Sequence, residues 1–217
     1  MPKQTKHPPL LIIPYFPRRG LLDQERSRAL SVKELFRAEL LSFADCEILS
    51  GFIGYPHLEV LLRFLTGWQD REVYFLGTAG FLGPEAPPAT PLQLDSISAD
   101  PAQFLLSRQN CYQLKPFPAF PAVPGISVDL PGRENESWLA EQRRAGLRVV
   151  EMEIYALAAL YGRPLTALVT LSDYFDAGGT NHRRSSGLVQ QDFNLAYREI
   201  RRLINERQGN PDPAPAG

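Results

Sequence analysis

Apolar positions along this chain fall into two patterns, short continuous runs and helical stripes, and the two alternate. Leu10 to Pro14 is an apolar run bounded by prolines, which predicts a buried strand. Ser27 to Phe43, with Leu30, Leu35 and the Leu40-Leu41 pair apolar, is expected as a helix. Cys46 to Leu49 predicts a second strand, stopped by Ser50-Gly51. Leu58, Leu61, Leu62 and Leu65 follow the i, i+3, i+4, i+7 rule, so Pro56 to Thr66 is predicted as a helix with proline near its start. Val73 to Leu76 is another buried strand, running straight into the small residues Gly77-Thr78-Ala79-Gly80.

From Gly83 to Pro131 prolines recur and disfavour helix over most of the segment. Extended segments and loops are expected there, with a turn or two at Ala102 to Ser107 and strands at Tyr112–Leu114 and Ile126–Val128. Phe104, Tyr112, Phe117 and Phe120 supply apolar surface that argues against a free linker. Glu134 to Ala145 reads as a polar helix, and Ile154, Leu157, Ala158 and Tyr161 form the apolar stripe of the next. Leu165 to Leu171 is a continuous apolar strand, and Leu188 to Arg207 closes the pattern as an amphipathic helix.

Strands alternating with helices predict a single α/β domain over residues 1–217, with flexible tails at 1–8 and 208–217. The expected architecture is a three-layer α/β/α arrangement around a central mixed, mostly parallel sheet. Ligands of such sheets bind at the carboxyl ends of strands. Pro14–Gly20, Gly77–Gly80 and Ser172-Asp173 all stand at such ends.

Composition narrows the function. With 217 residues and 44% hydrophobic content the chain supports one sizeable core. A net charge of -1 and a pI of about 6.3 exclude a general nucleic-acid or membrane field. No apolar run approaches the roughly 20 residues of a membrane helix, and the N-terminal MPKQTKHPPLLII lacks a signal-peptide apolar region. A cytoplasmic location is expected. Cys46 and Cys111 are far apart and read as reduced thiols with structural roles. The chain has no P-loop, no Gly-x-Ser-x-Gly elbow, no His-Glu-x-x-His pair and three histidines, so no metal and no cofactor is expected. Asn135-Glu136-Ser137 fits a glycosylation sequon by chance.

The densest chemistry lies between Val149 and Asp173, VVEMEIYALAALYGRPLTALVTLSD. Glu151 and Glu153 bracket Met152 before an apolar helix, and a buried strand then ends in Ser172-Asp173. This order resembles the purine nucleoside phosphorylase and uridine phosphorylase family, which also includes nucleosidases. The resemblance implies cleavage of the N-glycosidic bond of a nucleoside, with phosphorolysis ahead of hydrolysis, or a relative that binds nucleosides without turnover. It also implies a small-molecule nucleoside as ligand, phosphate as co-substrate, and a homo-oligomer, dimer, trimer or hexamer.

By the same resemblance Glu153 clamps the ribose 2′ and 3′ hydroxyls, Met152 lines the sugar face and Glu151 supports the sugar site. A carboxylate suits this task because it accepts from both hydroxyls and its charge favours a cationic sugar. The plain alternatives are an acidic residue at a helix N-terminus for Glu153 and ordinary core packing for Met152. Asp173, following Ser172, is the acid for the departing base, against the alternative of a turn cap. An arginine further on would assist it, from Asn181-His182-Arg183-Arg184. Thr78, Ala79 and Gly80 would present backbone to base, sugar or phosphate.

Phosphate readings diverge. Pro17 and Arg19 match a family segment in which Arg19 would bind phosphate, with Thr78 as a further ligand, but Tyr15 and Phe16 replace its Gly and Asp. Phe75 stands where the family often has a second phosphate arginine. Ser50-Gly51-Phe52-Ile53-Gly54 resembles the family's Ser-Gly-x-Gly turn with one residue inserted, and no aromatic stands near Leu130 to stack on a base.

Overall fold

A computed structural model describes residues 7–17, 19–100, 109–129 and 134–208 of the chain. The turn expected at Ala102–Ser107, the Leu130 position and most of both expected tails lie outside the described residues.

Eleven strands and five helices occur among the described residues. In chain order they are β1 (Leu10–Ile13), α1 (Arg19–Arg28), β2 (Ser31–Leu35), β3 (Ala38–Ser42), β4 (Glu47–Ser50), α2 (Tyr55–Arg63), β5 (Val73–Phe81), β6 (Leu92–Ala99), β7 (Cys111–Gln113), β8 (Ala122–Ser127), α3 (Glu136–Arg144), β9 (Val149–Glu151), α4 (Ile154–Tyr161), β10 (Thr166–Phe175), β11 (Asn181–Arg183) and α5 (Ser186–Gln208).

All eleven strands belong to one mixed sheet. β5 pairs with β9, β9 with β8, β8 with β6, β6 with β10, and β10 returns to β5, so five strands close a ring. A wing leaves the ring at β5, in the order β1-β4-β3-β2. The β1–β4, β1–β5 and β5–β10 pairings at the centre are parallel, whereas the wing's outer strands and β11 add antiparallel.

Alternation along β1 explains the layers. Leu10 and Ile12 face one side and pack with Leu58, Leu61 and Leu62 of α2 and Ile154 to Ala158 of α4. Leu11 and Ile13 face the other and pack with Phe193, Ala196, Ile200 and Ile204 of α5. Both faces of this strand are covered, which is why its sequence is a continuous apolar run. A third cluster joins Leu139 of α3 to Leu82, Ile126, Val128, Val150 and Phe175. The α/β architecture with helices on both sides of a central sheet is the one the pattern predicts.

Local signals account for most element ends. Pro56 stands in the first turn of α2, and Gly162, with φ 69°, closes α4 in the left-handed conformation. Asn135, the sequon asparagine, caps α3 by accepting from Trp138 N at 3.0 Å.

Two expectations need correction. Ser27–Phe43 is not one helix: α1 ends at Arg28 and a β2–β3 hairpin follows, turning at Phe36-Arg37. β2 is an edge strand exposed over its first four positions, so it shows no alternation to read. The turn residues, at φ 49° and 71°, are neither Gly nor Asn and give no turn signal. Nor does the strand expected at Val73–Leu76 end before Gly77-Thr78-Ala79-Gly80. That segment lies inside β5, paired with β10 on one side and, at Gly80, with Val150 of β9 on the other. The expected strands at Tyr112–Leu114 and Ile126–Val128 overlap β7 and β8, but β6 was hidden among the prolines.

Candidate active site

A cavity of about 300 Å³ opens at the carboxyl ends of β1, β5, β8, β9 and β10. Pro14 and Tyr15 line it from β1, Thr78, Ala79 and Gly80 from β5, Val150 to Glu153 from β9 and the start of α4, and Ser172 and Asp173 from β10. Ile53, Val128 and Glu134 complete the wall. The sequence-predicted residues Glu151, Met152, Glu153, Thr78, Ala79, Gly80, Ser172 and Asp173 therefore converge on one hollow. A larger one, about 560 Å³, lies between α1 and α5, lined by Leu21, Glu25, Gln190 and Tyr197 among others. It shares no lining residue with this convergence and is formed by the surfaces of two helices, so size alone does not mark the site.

Glu151 and Glu153 are both buried, at 4% and 7% exposure. Their oxygens do different work. Glu151 Oε2 accepts from the backbone N–H of Glu153 and of Ile154, each at 2.7 Å, and Oε1 accepts from the Ser127 hydroxyl. Glu151 thus caps the N-terminus of α4. Glu153 occupies the N-cap position itself, yet its side chain makes no cap bond. Its Oε1 accepts instead from Gly54 N at 2.7 Å, across 99 positions of sequence. The capping expected of Glu153 as the plain alternative belongs to Glu151. Burial, then the neighbouring Glu153, pushes the Glu151 carboxyl up to about 8. Burial pushes Glu153 up as well, against the pull of the Gly54 N–H.

Asp173 sits at an irregularity of β10. Against β5 the register runs Leu171↔Ala79 and then Asp173↔Gly80, so Ser172 is an extra residue. Such a bulge bends the strand and re-aims side chains. Asp173 is half-buried. Its Oδ1 accepts from Ser172 Oγ at 2.5 Å and its Oδ2 from Asn181 Nδ2 at 3.1 Å. The expected arginine partner is replaced by this amide. The Arg184 side chain is covered and pairs with Asp192 at 2.9 Å while donating to Leu171 O, Arg183 is exposed, and His182 pairs with Asp176.

Gly80 is small because of its neighbours. A Cβ there would stand 3.1 Å from Asp173 Oδ2 and 3.1 Å from Val150 Cγ1. Met152 is half-buried and leans on the third apolar cluster while lining the cavity. Phe75 is buried in the core rather than at the cavity. Arg19 opens α1, and its side chain lies outside the described residues. Among the described residues no group of His, Cys, Asp and Glu is arranged to hold a metal ion. Cys46 is buried, which pushes its thiol up to about 12 and leaves it inert.

Sequence reasoning missed Glu134, looked for an arginine where Asn181 serves, and named Ile53 only as part of the Ser50–Gly54 turn. Asn181 reaches Asp173 only through the β10–β11 hairpin, in which Asp173 stands opposite Arg183. Ile53 carried a signal, being a large apolar residue between two glycines, and it is 72% exposed at the cavity wall.

No protein-family model matches the chain, and no curated protein matches it. Solved structures do. A 5′-methylthioadenosine/S-adenosylhomocysteine nucleosidase from Campylobacter jejuni superposes with a TM-score of 0.67 at 14% identity, over 91% of this chain and 99% of that one. Purine nucleoside phosphorylase from Toxoplasma gondii, in complex with immucillin-H, gives 0.64 at 13%, over 95% of each chain. A futalosine hydrolase mutant from Helicobacter pylori gives 0.65 at 14%, over 92% of this chain and 99% of that one. The chain has the fold shared by nucleoside phosphorylases and nucleosidases.

Proposed function

We propose that this chain cleaves the N-glycosidic bond of a nucleoside, with water as the acceptor. The observation that carries the reading is the convergence of Glu153 and Asp173 on one cavity. Glu153 lies beside the cavity with one oxygen held by Gly54 N–H, and a carboxylate retains acceptor sites for a sugar diol. As the C–N bond lengthens, the sugar becomes cationic, and carboxylates in a secluded site stabilise that charge more than they stabilise the neutral ground state. Asp173, fixed by Ser172 and Asn181, is the group to hold or deliver the proton that the leaving base requires. Of the three solved structures compared above, two are named as nucleosidase or hydrolase and one as a phosphorylase.

The choice of water follows from charge. The ionisable groups among the described lining residues, beside the phenol of Tyr15, are Glu134, Glu151, Glu153 and Asp173. Those of these carboxyls that are ionised repel an entering phosphate dianion, whereas water meets no such repulsion. Phe75, where a second phosphate arginine is expected, packs in the core and also favours water, while the Arg19 side chain lies outside the described residues.

A panel of purine and pyrimidine nucleosides assayed for free base, with and without phosphate, tests both levels. Release of base together with free ribose, at a rate independent of phosphate, is expected. Ribose 1-phosphate as product would overturn the choice of water, and absence of base release from every nucleoside would overturn the reaction.

A further inference from the structure

The first turn of α4 is capped from outside the helix. A helix leaves its first backbone N–H groups without partners, and the residue at the N-cap commonly supplies an acceptor. Here that residue is Glu153, and it does not. The N–H groups of Glu153 and Ile154 go to Glu151 Oε2, and that of Tyr155 goes to Ser127 Oγ at 2.9 Å. Ser127, accepting from Tyr155, is hydrogen-bonded through its hydroxyl to Glu151 Oε1 and holds that carboxyl in either protonation state. It is the last residue of β8, fully buried, and stands opposite Glu151 in the parallel β8–β9 pairing. It is not among the residues that line the cavity.

We propose that Ser127 is a positioning residue for the sugar-binding carboxylate, acting through Glu151. This rests on the reading of Glu153 as the sugar carboxylate. Ser127 locks Glu151 in the rotamer that caps α4, and the capped turn fixes the backbone from which Glu153 reaches Gly54 and the cavity. Because Ser127 and Glu151 provide the cap, the Glu153 carboxylate is left for a ligand. Remove the hydroxyl, and Tyr155 N–H loses its acceptor while Glu151 loses its tether. The first turn then loosens where a two-hydroxyl contact needs it fixed, and such contacts are sensitive to displacements well under about 1 Å.

The test compares Ser127→Ala and Ser127→Thr with wild type, on a ribonucleoside and its 2′-deoxy analogue, together with hydrogen exchange at the amides of residues 153–155. In Ser127→Ala, kcat/KM for the ribonucleoside is expected to fall about 10-fold or more. The deoxynucleoside, which makes only one of the two hydroxyl contacts, should fall less, so the preference for ribose is compressed. Exchange at the three amides should accelerate, and Ser127→Thr, which keeps the hydroxyl, should restore both readouts. Equal losses on both sugars with unchanged exchange would overturn the proposal, as would a folded threonine variant no better than alanine. If Ser127→Ala does not fold, Ser127→Cys fills the same space with a weaker donor, and undiminished ribose preference in that variant would overturn it. Should wild type release no base from any nucleoside, the proposed function fails. The positioning of α4 is then judged by exchange alone, and unchanged exchange in Ser127→Ala rejects it.

Discussion

Glu151 and Glu153 stand two positions apart and face different partners, and this gives them separate signatures. Glu151 holds a proton up to about 8 because it is buried beside Glu153, against an ordinary value of 4.5. Below about 4.5 the folded and unfolded chains both carry that proton, and between about 4.5 and about 8 only the folded chain does. The unfolded state binds fewer protons there, so stability falls as pH rises through this window and the loss is complete above it. Glu151→Gln has no proton to lose, and its amide can keep accepting from Glu153 and Ile154 N–H while donating to Ser127. Thermal melts from pH 5 to pH 8 should show the variant gaining on wild type by on the order of 1 kcal/mol or more. A difference that stays flat would mean that Glu151 is already ionised in the fold. Asp173 gives a kinetic signature instead. Asp173→Asn keeps an acceptor for Ser172, and a flip of the Asn181 amide accommodates the new NH₂ group, so the fold should survive. Turnover should drop by about 10² to 10⁴-fold, the usual cost of a lost general acid. Unchanged base release by the folded variant would remove Asp173 from the chemistry.

At the scale of elements, the β2–β3 hairpin carries an identifiable strain. Its two-residue turn puts Phe36 and Arg37 at φ 49° and 71°, where L-residues with a Cβ are disfavoured by roughly 1 to 2 kcal/mol each. Phe36 gains compensation, since its ring packs on Phe64 at 4.8 Å and its carbonyl meets His57 Nε2 at 3.1 Å. Arg37 is exposed, and no such contact is seen for its side chain. Arg37→Gly should therefore stabilise the protein by about 0.5 to 1 kcal/mol, after the added freedom of glycine in the unfolded chain is counted. An unchanged or lowered unfolding midpoint in urea would show that the turn relaxes in solution. This hairpin is also where reading the sequence failed. Ala38-Glu39-Leu40-Leu41 is made of good helix formers, and pairing with the strands on either side, β2 and β4, overrides their propensity. By contrast α2 and α5 were legible, because each lays one apolar stripe on one face of the sheet.

At the scale of the molecule, the five-strand ring binds distant parts of the chain to each other. β5, β6, β8, β9 and β10 span residues 73 to 175, and each pairs with two others in the ring. Opening any pairing exposes the remaining edges, so the fold should unfold as one cooperative unit. The chain has two tryptophans in separate clusters, Trp68 packed with the α2–α4 layer and Trp138 against the α3 cluster. Trp68→Phe and Trp138→Phe each leave one reporter. The two urea transitions, corrected for the variants' own stabilities by circular dichroism, should coincide with the loss of secondary structure. A Trp138 signal lost well before the circular dichroism would show α3 and its cluster opening independently.

By itself the sequence determined the alternation of strands and helices outside the β2–β3 hairpin and β6, and the residues that meet at the cavity from Val149 to Asp173. Those features are local: a stripe, an apolar run or a short motif carries its meaning in the order of residues. Tertiary structure decided everything that depends on partners far along the chain. Gly54 arrives at Glu153 across 99 positions, Asn181 rather than an arginine reaches Asp173, and Ser127 meets Glu151 through strand pairing. Periodicity likewise reveals which residues are buried but not which strands are neighbours, because an alternating or continuous apolar run looks the same whatever lies beside it. Ring closure, the bulge that aims Asp173 and the division of labour between two nearly adjacent glutamates were therefore settled only when the sheet assembled.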